Sequence, residues 1–377
     1  MNLPLDYDEA NGAQFRAFYL LSPNFQPNGP VVFFFTDGQM ELVSPEPDDA
    51  FFDAQLPGVS YVLIGHRGHS PTLFPEIYQQ GKTDLQRAMK LYGSWQCVED
   101  IERVRRDMLA QGMLLPESKI MIFAASGAGV LAQQYLHRYG KHVSRVLLAT
   151  TGAPDLAREH GWTYARDFAE LNPALAHTLN ELWTTTSVNQ ASLAYLLFQL
   201  GRTGQAGLTA QQQVIQGLHN GNPLPYAWYW LRPQLNWPLC QMLLSAPAAD
   251  AAKVRMYELL GAELQRVTPT EPLLYRWSRE ILADYLQQNI ALPDLRLDRS
   301  RFKGEVLVLA GLQDVVFSPA IGRAIAESYA DGRFLAVRGG HRLELDAEYQ
   351  RALRKAFFQQ GLHAADTATL LASPPQN

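Results

Sequence analysis

Cysteine is nearly absent: only Cys97 and Cys240 occur in 377 residues. Two thiols in so long a chain do not make a disulfide framework, and the expectation is buried free thiols in a reducing cytoplasm. Neither stands near a histidine at metal-ligand spacing, so no metal site is expected. Long apolar runs are also missing. The longest, "VVFFF", is far too short to span a bilayer. The opening "MNLPLDYDEANG" is acidic and lacks an apolar core of signal-peptide length, so no secretory leader is expected. Charge of one sign is not concentrated either. The formal net charge is -5, and the basic residues are scattered, which argues against a nucleic-acid partner or a membrane surface. The expected partner is a small-molecule or short-peptide substrate, and the oligomeric state is not legible.

What the chain does have is the composition of a globular protein: 47% hydrophobic and 18% charged. A chain of this length can bury a sizeable core and suggests two domains, or one domain with a large insertion. The first third alternates strand and helix signals. "AQFRAFYLL" (13–21) alternates apolar and polar residues like a half-buried strand. "GPVVFFFTDG" (29–38), "VSYVLIGHRG" (59–68), "SKIMIFAAS" (118–126) and "SRVLLATTG" (144–152) are short apolar runs of the kind that form buried parallel strands. Helices are expected over 94–112 and 129–140, each closing on glycine. From about 153 to 300 no buried strand is legible: apolar residues recur at helical spacing and prolines break the run. Strand signals return at "GEVLVLAGLQD" (304–314) and "GRFLAVRGGH" (332–341), with helices over 319–330 and 347–361. This order predicts an α/β fold with a mostly parallel sheet and helices on both faces. Its core would be 1–152 with 301–361, its helical cap 153–300, and its tail 362–377 frayed.

Within "MIFAASGAGVL" a strand is followed at once by Ser126 and then by a helical pattern. That is the layout of a nucleophile elbow, a tight turn that tolerates only small neighbours. Here they are Ala124 and Ala128, with Gly127 and Gly129 adding room. A serine hydroxyl is a weak nucleophile and needs a histidine base, itself held by a carboxylate. Asp314 directly follows "EVLVLAG", and His341 follows "RFLAVRGG" 27 residues later, in the chain order serine, acid, histidine. Two backbone N–H groups should stabilise the oxyanion. One is expected from Gly127 and the other from Gly38, in the loop after "VVFFF".

These segments resemble the α/β-hydrolase superfamily, and within it the proline iminopeptidase and tripeptidyl aminopeptidase group of serine exopeptidases. "LPLDYDEANGAQFRAFYL" resembles the group's opening "PLDY…G" strand, and "LIGHRGHSPT" its "DxRGxGxS" turn. "SWQCVEDIERVRRDM" looks like the helix before its nucleophile strand. "AASGAGVLAQQYLHRYGKHVSRVLLATTG", "VLVLAGLQDVVFSP" and "VRGGH" look like its elbow, acid loop and histidine loop. The resemblance covers roughly the first 150 and last 75 residues. It departs at "TDGQM" (36–40), where the group has "HGGPG", at Gly65, where an Asp is common, and at the elbow alanines.

The resemblance implies an α/β-hydrolase fold with a helical cap and a cofactor-free serine hydrolase, here an aminopeptidase acting on peptide N-termini. In that group acidic cap residues hold the substrate's free α-amine. "EPLLYRWSREILADY" (271–285) is weakly similar to such a segment and places the glutamate at Glu280. Two alternatives stay open: a hydrolase of a non-peptide ester, thioester, amide or lactone on the same frame, and a non-catalytic binding protein on a hydrolase fold. Trp228, Trp230, Trp237 and Trp277 are expected mostly to pack the cap's own core, with one or two walling the pocket.

Overall fold

The computed structural model describes residues 1–377 except 10, 70–72, 267–269, 344–345 and 376–377. Among the described residues eleven strands occur in chain order: β1 Asn2–Pro4, β2 Gln14–Arg16, β3 Tyr19–Leu21, β4 Val31–Phe35, β5 Ser60–Ile64, β6 Tyr78–Gln79, β7 Lys82–Thr83, β8 Ile120–Ala125, β9 Val143–Ala149, β10 Glu305–Gly311 and β11 Asp331–Val337. Seven of them form one sheet in the order β11-β10-β9-β8-β4-β5-β3. All neighbours are parallel except β3, which runs antiparallel to β5. The stretch 13–21, read as one strand, is split. Gln14–Arg16 pairs with Asn2–Pro4 in a small ribbon, and only Tyr19–Leu21 joins the main sheet.

The central strands are buried on both faces because helices cover both. Successive side chains point to opposite sides, so each strand feeds two cores. Phe33, Ile122, Val146 and Val308 belong to one core; Phe34, Phe123, Leu147 and Leu307 belong to the other. The first core is closed by the helices Ser94–Ala110 and Gly127–Tyr139 and by the long helical segment. The second is closed by Asp49–Gln55, through Phe52, and by Ala347–Gln360, through Leu353 and Phe357. This strand order, with the elbow after β8, is the α/β-hydrolase fold.

Between β9 and β10 the described residues form helices and no strand. The tail departs from expectation. Ala365–Ala372 is a helix packed on Ala347–Gln360, and the Tyr349 hydroxyl donates to the Leu370 carbonyl (2.7 Å). Thr367 is fully buried there, so this segment is held rather than frayed. Two of the four tryptophans also depart. Trp277 is buried against Tyr195 and Phe198, and Trp230 stacks on Tyr226, but Trp228 and Trp237 are 66% and 58% exposed. Both exposed rings lie on short helices of a proline-broken stretch, and the Arg232 guanidinium lies over the Trp228 ring at 5.6 Å. Cys97 and Cys240 are unpaired, and no helix among the described residues is long and apolar enough to cross a membrane.

The turn at "GHRG" is a structural pin. Arg67 is buried and bonds both oxygens of Asp100 (2.6 and 2.7 Å) and the carbonyls of Leu5, Leu91 and Pro4. One guanidinium thereby ties the N-terminal ribbon to the helices Leu85–Tyr92 and Ser94–Ala110, beneath the carboxyl end of β5.

Candidate active site

Ser126 sits at the carboxyl end of β8 with φ 55° and ψ −131°, a left-handed backbone that non-glycine residues adopt at a cost. Its surroundings hold it there. The Ser126 amide donates to the Ala149 carbonyl (3.0 Å), and the Thr151 hydroxyl donates to the Ser126 carbonyl (2.6 Å). A Cβ on Gly129 would stand 2.2 Å from the same Thr151 oxygen, so glycine there is what lets the helix approach β9. Helix Gly127–Tyr139 begins at the next residue. Its leading amides have no partner inside the helix and carry the positive end of its dipole.

Asp314 and His341 follow β10 and β11, so all three side chains stand at the carboxyl edge of the sheet. His341 is buried. Its Nδ1 donates to both oxygens of Asp314 (3.1 and 3.0 Å), and its Nε2 accepts from the Ser126 hydroxyl (2.9 Å). Asp314 is fixed in turn by the amides of Val316 (2.7 Å) and Phe317 (3.3 Å). Holding the proton on Nδ1 leaves Nε2 free to take one from the serine.

Gly38 has φ 78° and is buried; the His66 imidazole fills the place of a Cβ, and the His69 ring donates to the Gly38 carbonyl. His66 donates from Nδ1 to the Arg67 carbonyl (2.8 Å), and burial pushes its pKa down to about 3, so it is neutral. Gly38 is thus tucked under two imidazoles and does not line the cavity at Ser126, whereas Gly127 does. The loop after β4 presents Gln39 and Met40 to the cavity instead, and turns the carboxyl group of Asp37 toward Gly127. Asp37 Oδ1 accepts from the Gln39 amide (3.1 Å), and Oδ2 stands against Gly127. Burial pushes the Asp37 carboxyl above the usual carboxylate range, with Arg255 as the main opposing influence.

Arg255, on the helix Asp250–Leu264, has no sequence signal but reaches the elbow. It is buried, donates to the Gly127 carbonyl (3.2 Å) and pairs with Glu258 (2.9 Å). Glu258 accepts from the amide and hydroxyl of Ser94 (2.9 and 3.1 Å). The helical segment is therefore fastened to the core beside the turn at Ser126.

A cavity of about 140 Å³ opens over Ser126 and His341. Its walls are mostly apolar, including Phe198, Met256, Leu260, Trp277 and Phe317, with Gln199, Arg202 and Arg342 as polar elements. Among the described residues no aspartate or glutamate lines it. Glu280, expected to hold a substrate amine, is exposed and lies away from this cavity. The buried residues of its helix are Leu273, Leu274, Tyr275, Trp277, Ser278 and Ile281, and Glu280 stands at the edge of that face, in the last turn, with its side chain exposed.

No family model matches the chain, and no curated protein does. Several solved structures resemble it. One is an α/β-hydrolase enzyme from a Medee basin deep-sea metagenome library, 14% identical over 91% of this chain and 94% of that one, with a TM-score of 0.46. A second is an esterase from Exiguobacterium antarcticum, 15% identical over 90% and 92%, with a TM-score of 0.44. A third is an enol-lactonase from Burkholderia xenovorans LB400, 12% identical over 96% and 98%, with a TM-score of 0.41. Similarity of this degree says nothing about the substrate.

Proposed function

We propose that the chain is a serine hydrolase that works through an acyl-enzyme. The observation that carries this reading is the continuous chain Asp314–His341–Ser126, with His341 Nε2 2.9 Å from the Ser126 oxygen. Ser126 attacks the substrate carbonyl while His341 takes its proton. His341 then returns that proton to the leaving group, and a water activated by the same nitrogen releases the acyl group. The Gly127 amide, at a helix N-terminus, serves the developing oxyanion. Residues 1–152 with 301–361 act as the catalytic core, and 153–300 as the cap that walls the pocket. The two unpaired thiols favour a reducing cytoplasm.

Between the substrate classes, the cavity favours a non-peptide ester, thioester, amide or lactone over a peptide N-terminus. A free ammonium needs a carboxylate partner where water is excluded. Among the described residues the cavity wall offers two arginines and no acid, and Glu280 is elsewhere. A panel of acyl esters and aminoacyl arylamides, run on wild type and Ser126→Ala, tests this. Turnover of esters that is lost in the variant is expected. Preferential cleavage of free-amine arylamides would restore the aminopeptidase reading of the proline iminopeptidase type.

A further inference from the structure

We propose that Arg202 anchors a carboxylate carried by the substrate, on the part of the molecule remote from the bond that Ser126 attacks. The proposal rests on Ser126 being the nucleophile of this cavity and names the substrate class: an acyl compound with a free carboxylate beyond its reacting carbonyl.

Arg202 follows the helix Gln190–Gly201 and lines the same cavity as Ser126 and His341. Its guanidinium is drawn into the protein without a counterion. Nη1 donates to the neutral Gln199 Oε1 (3.2 Å), Nε is buried with no partner, and no ion pair forms with any described acid. Beneath it lies the Phe198 ring, with 6.0 Å to the centroid. Desolvation and the neighbouring charge of Arg342 both pull its pKa below the ordinary arginine value. A cation left unpaired in apolar surroundings is expensive, and a planar donor fork matches a carboxylate two bonds at a time. Arg342 adds a second positive charge at the exposed rim of the cavity.

The placement is rigid with respect to the chemistry. The Arg202 carbonyl accepts from the Arg342 amide (3.4 Å), and a Cβ on Gly340 would stand 2.7 Å from that carbonyl oxygen and 2.4 Å from the Gly204 nitrogen. The backbone that carries Arg202 is packed directly on the loop that carries His341. A substrate held by its carboxylate at Arg202 is therefore held at a fixed reach from the catalytic base.

The test compares mono(4-nitrophenyl) esters of straight-chain dicarboxylic acids with 4-nitrophenyl esters of the neutral acids of equal length. In the step measured, Ser126 Oγ bonds to the ester carbon, 4-nitrophenolate leaves with the bonding pair, and water restores the hydroxyl. Wild type is expected to favour the acid-bearing esters through KM. Arg202→Met is expected to weaken them by about 10- to 100-fold more than the neutral esters. Calorimetry of the free diacid and its neutral amide analogue on Ser126→Ala, with and without Arg202→Met, reads the anchor without any turnover. A diacid that binds at least about tenfold more weakly without Arg202 supports the anchor even if no ester is cleaved, an outcome that would count against the hydrolase reading alone. Arg202→Lys, which keeps the charge but not the fork, covers a methionine variant that does not fold; intermediate weakening confined to the acid ligand is expected. Equal binding of acid and neutral ligands, or equal weakening of both in either variant, would overturn the proposal.

Discussion

Oδ2 of Asp37 stands 2.0 Å from the point that a Cβ on Gly127 would occupy. The residue after Ser126 is therefore glycine because a carboxyl group already fills the space beside it, and the loop after β4 and the turn at Ser126 are fitted to each other.

Gly127→Ala should accordingly cost far more activity than an exposed helix alanine would, since its methyl would drive the Asp37 carboxyl group and the Gln39 side-chain carboxamide aside. The double variant Asp37→Gly, Gly127→Ala should recover part of the loss. Coupling between contacting residues is typically about 0.5–3 kcal/mol, so a rescue in kcat/KM of about twofold to 100-fold is expected in a double-mutant cycle. Strictly additive losses would show that the contact does not matter.

Asp37 also sets a pH dependence. Its folded pKa is raised by burial, with Arg255, His69 and the Gln39 amide acting in the other direction. The protonated form is thus the one that the fold favours, and its contribution is lost as pH rises through the raised value. An ionised carboxylate beside Gly127 also opposes a developing oxyanion. Asp37→Asn should therefore gain in both melting temperature and rate relative to wild type as pH rises from about 4, near the unperturbed carboxylate value. A wild-type-to-variant ratio that stays flat between pH 4 and 9 would contradict this.

Arg67 and Asp100 are a stability pair remote from the chemistry. Removing one partner leaves a buried charge uncompensated, so Arg67→Met should lower the unfolding free energy by about 3–5 kcal/mol in urea titration. The reactivity of Ser126 in the remaining folded protein should change little, because Arg67 contacts the ribbon and helices rather than the elbow.

Arg255 joins both roles. Arg255→Met should destabilise to a similar extent and also slow turnover of the folded fraction, because it releases the Gly127 carbonyl and leaves Glu258 unpaired. Reduced stability with unchanged kcat would confine Arg255 to fastening the helical segment.

The sheet was legible because fully buried parallel strands write themselves as short apolar runs, and Ser126, Asp314 and His341 because each follows such a run directly. The contacts that shape the site were not. Arg255 meets the Gly127 carbonyl across 128 positions, and an isolated arginine in a helical stretch carries no local sign of its partner. Arg202 is silent for the same reason. The divergence of "TDGQM" was visible, but not that Asp37 turns its carboxyl toward Gly127 while Gly38 retires beneath His66. Glu280 is a different case. Seven positions after Leu273, it lies at the edge of the apolar phase, so periodicity alone does not set whether its side chain faces the cavity or solvent.

The most direct measurement is intact-mass and peptide-mapping analysis after treatment with a fluorophosphonate. A single adduct on Ser126 is expected, absent in Ser126→Ala and slowed roughly 10³-fold or more in His341→Ala, with little further loss when Asp314→Ala is added, because the three side chains act as a unit. An adduct that persists in Ser126→Ala, or labelling that is indifferent to His341, would contradict the account.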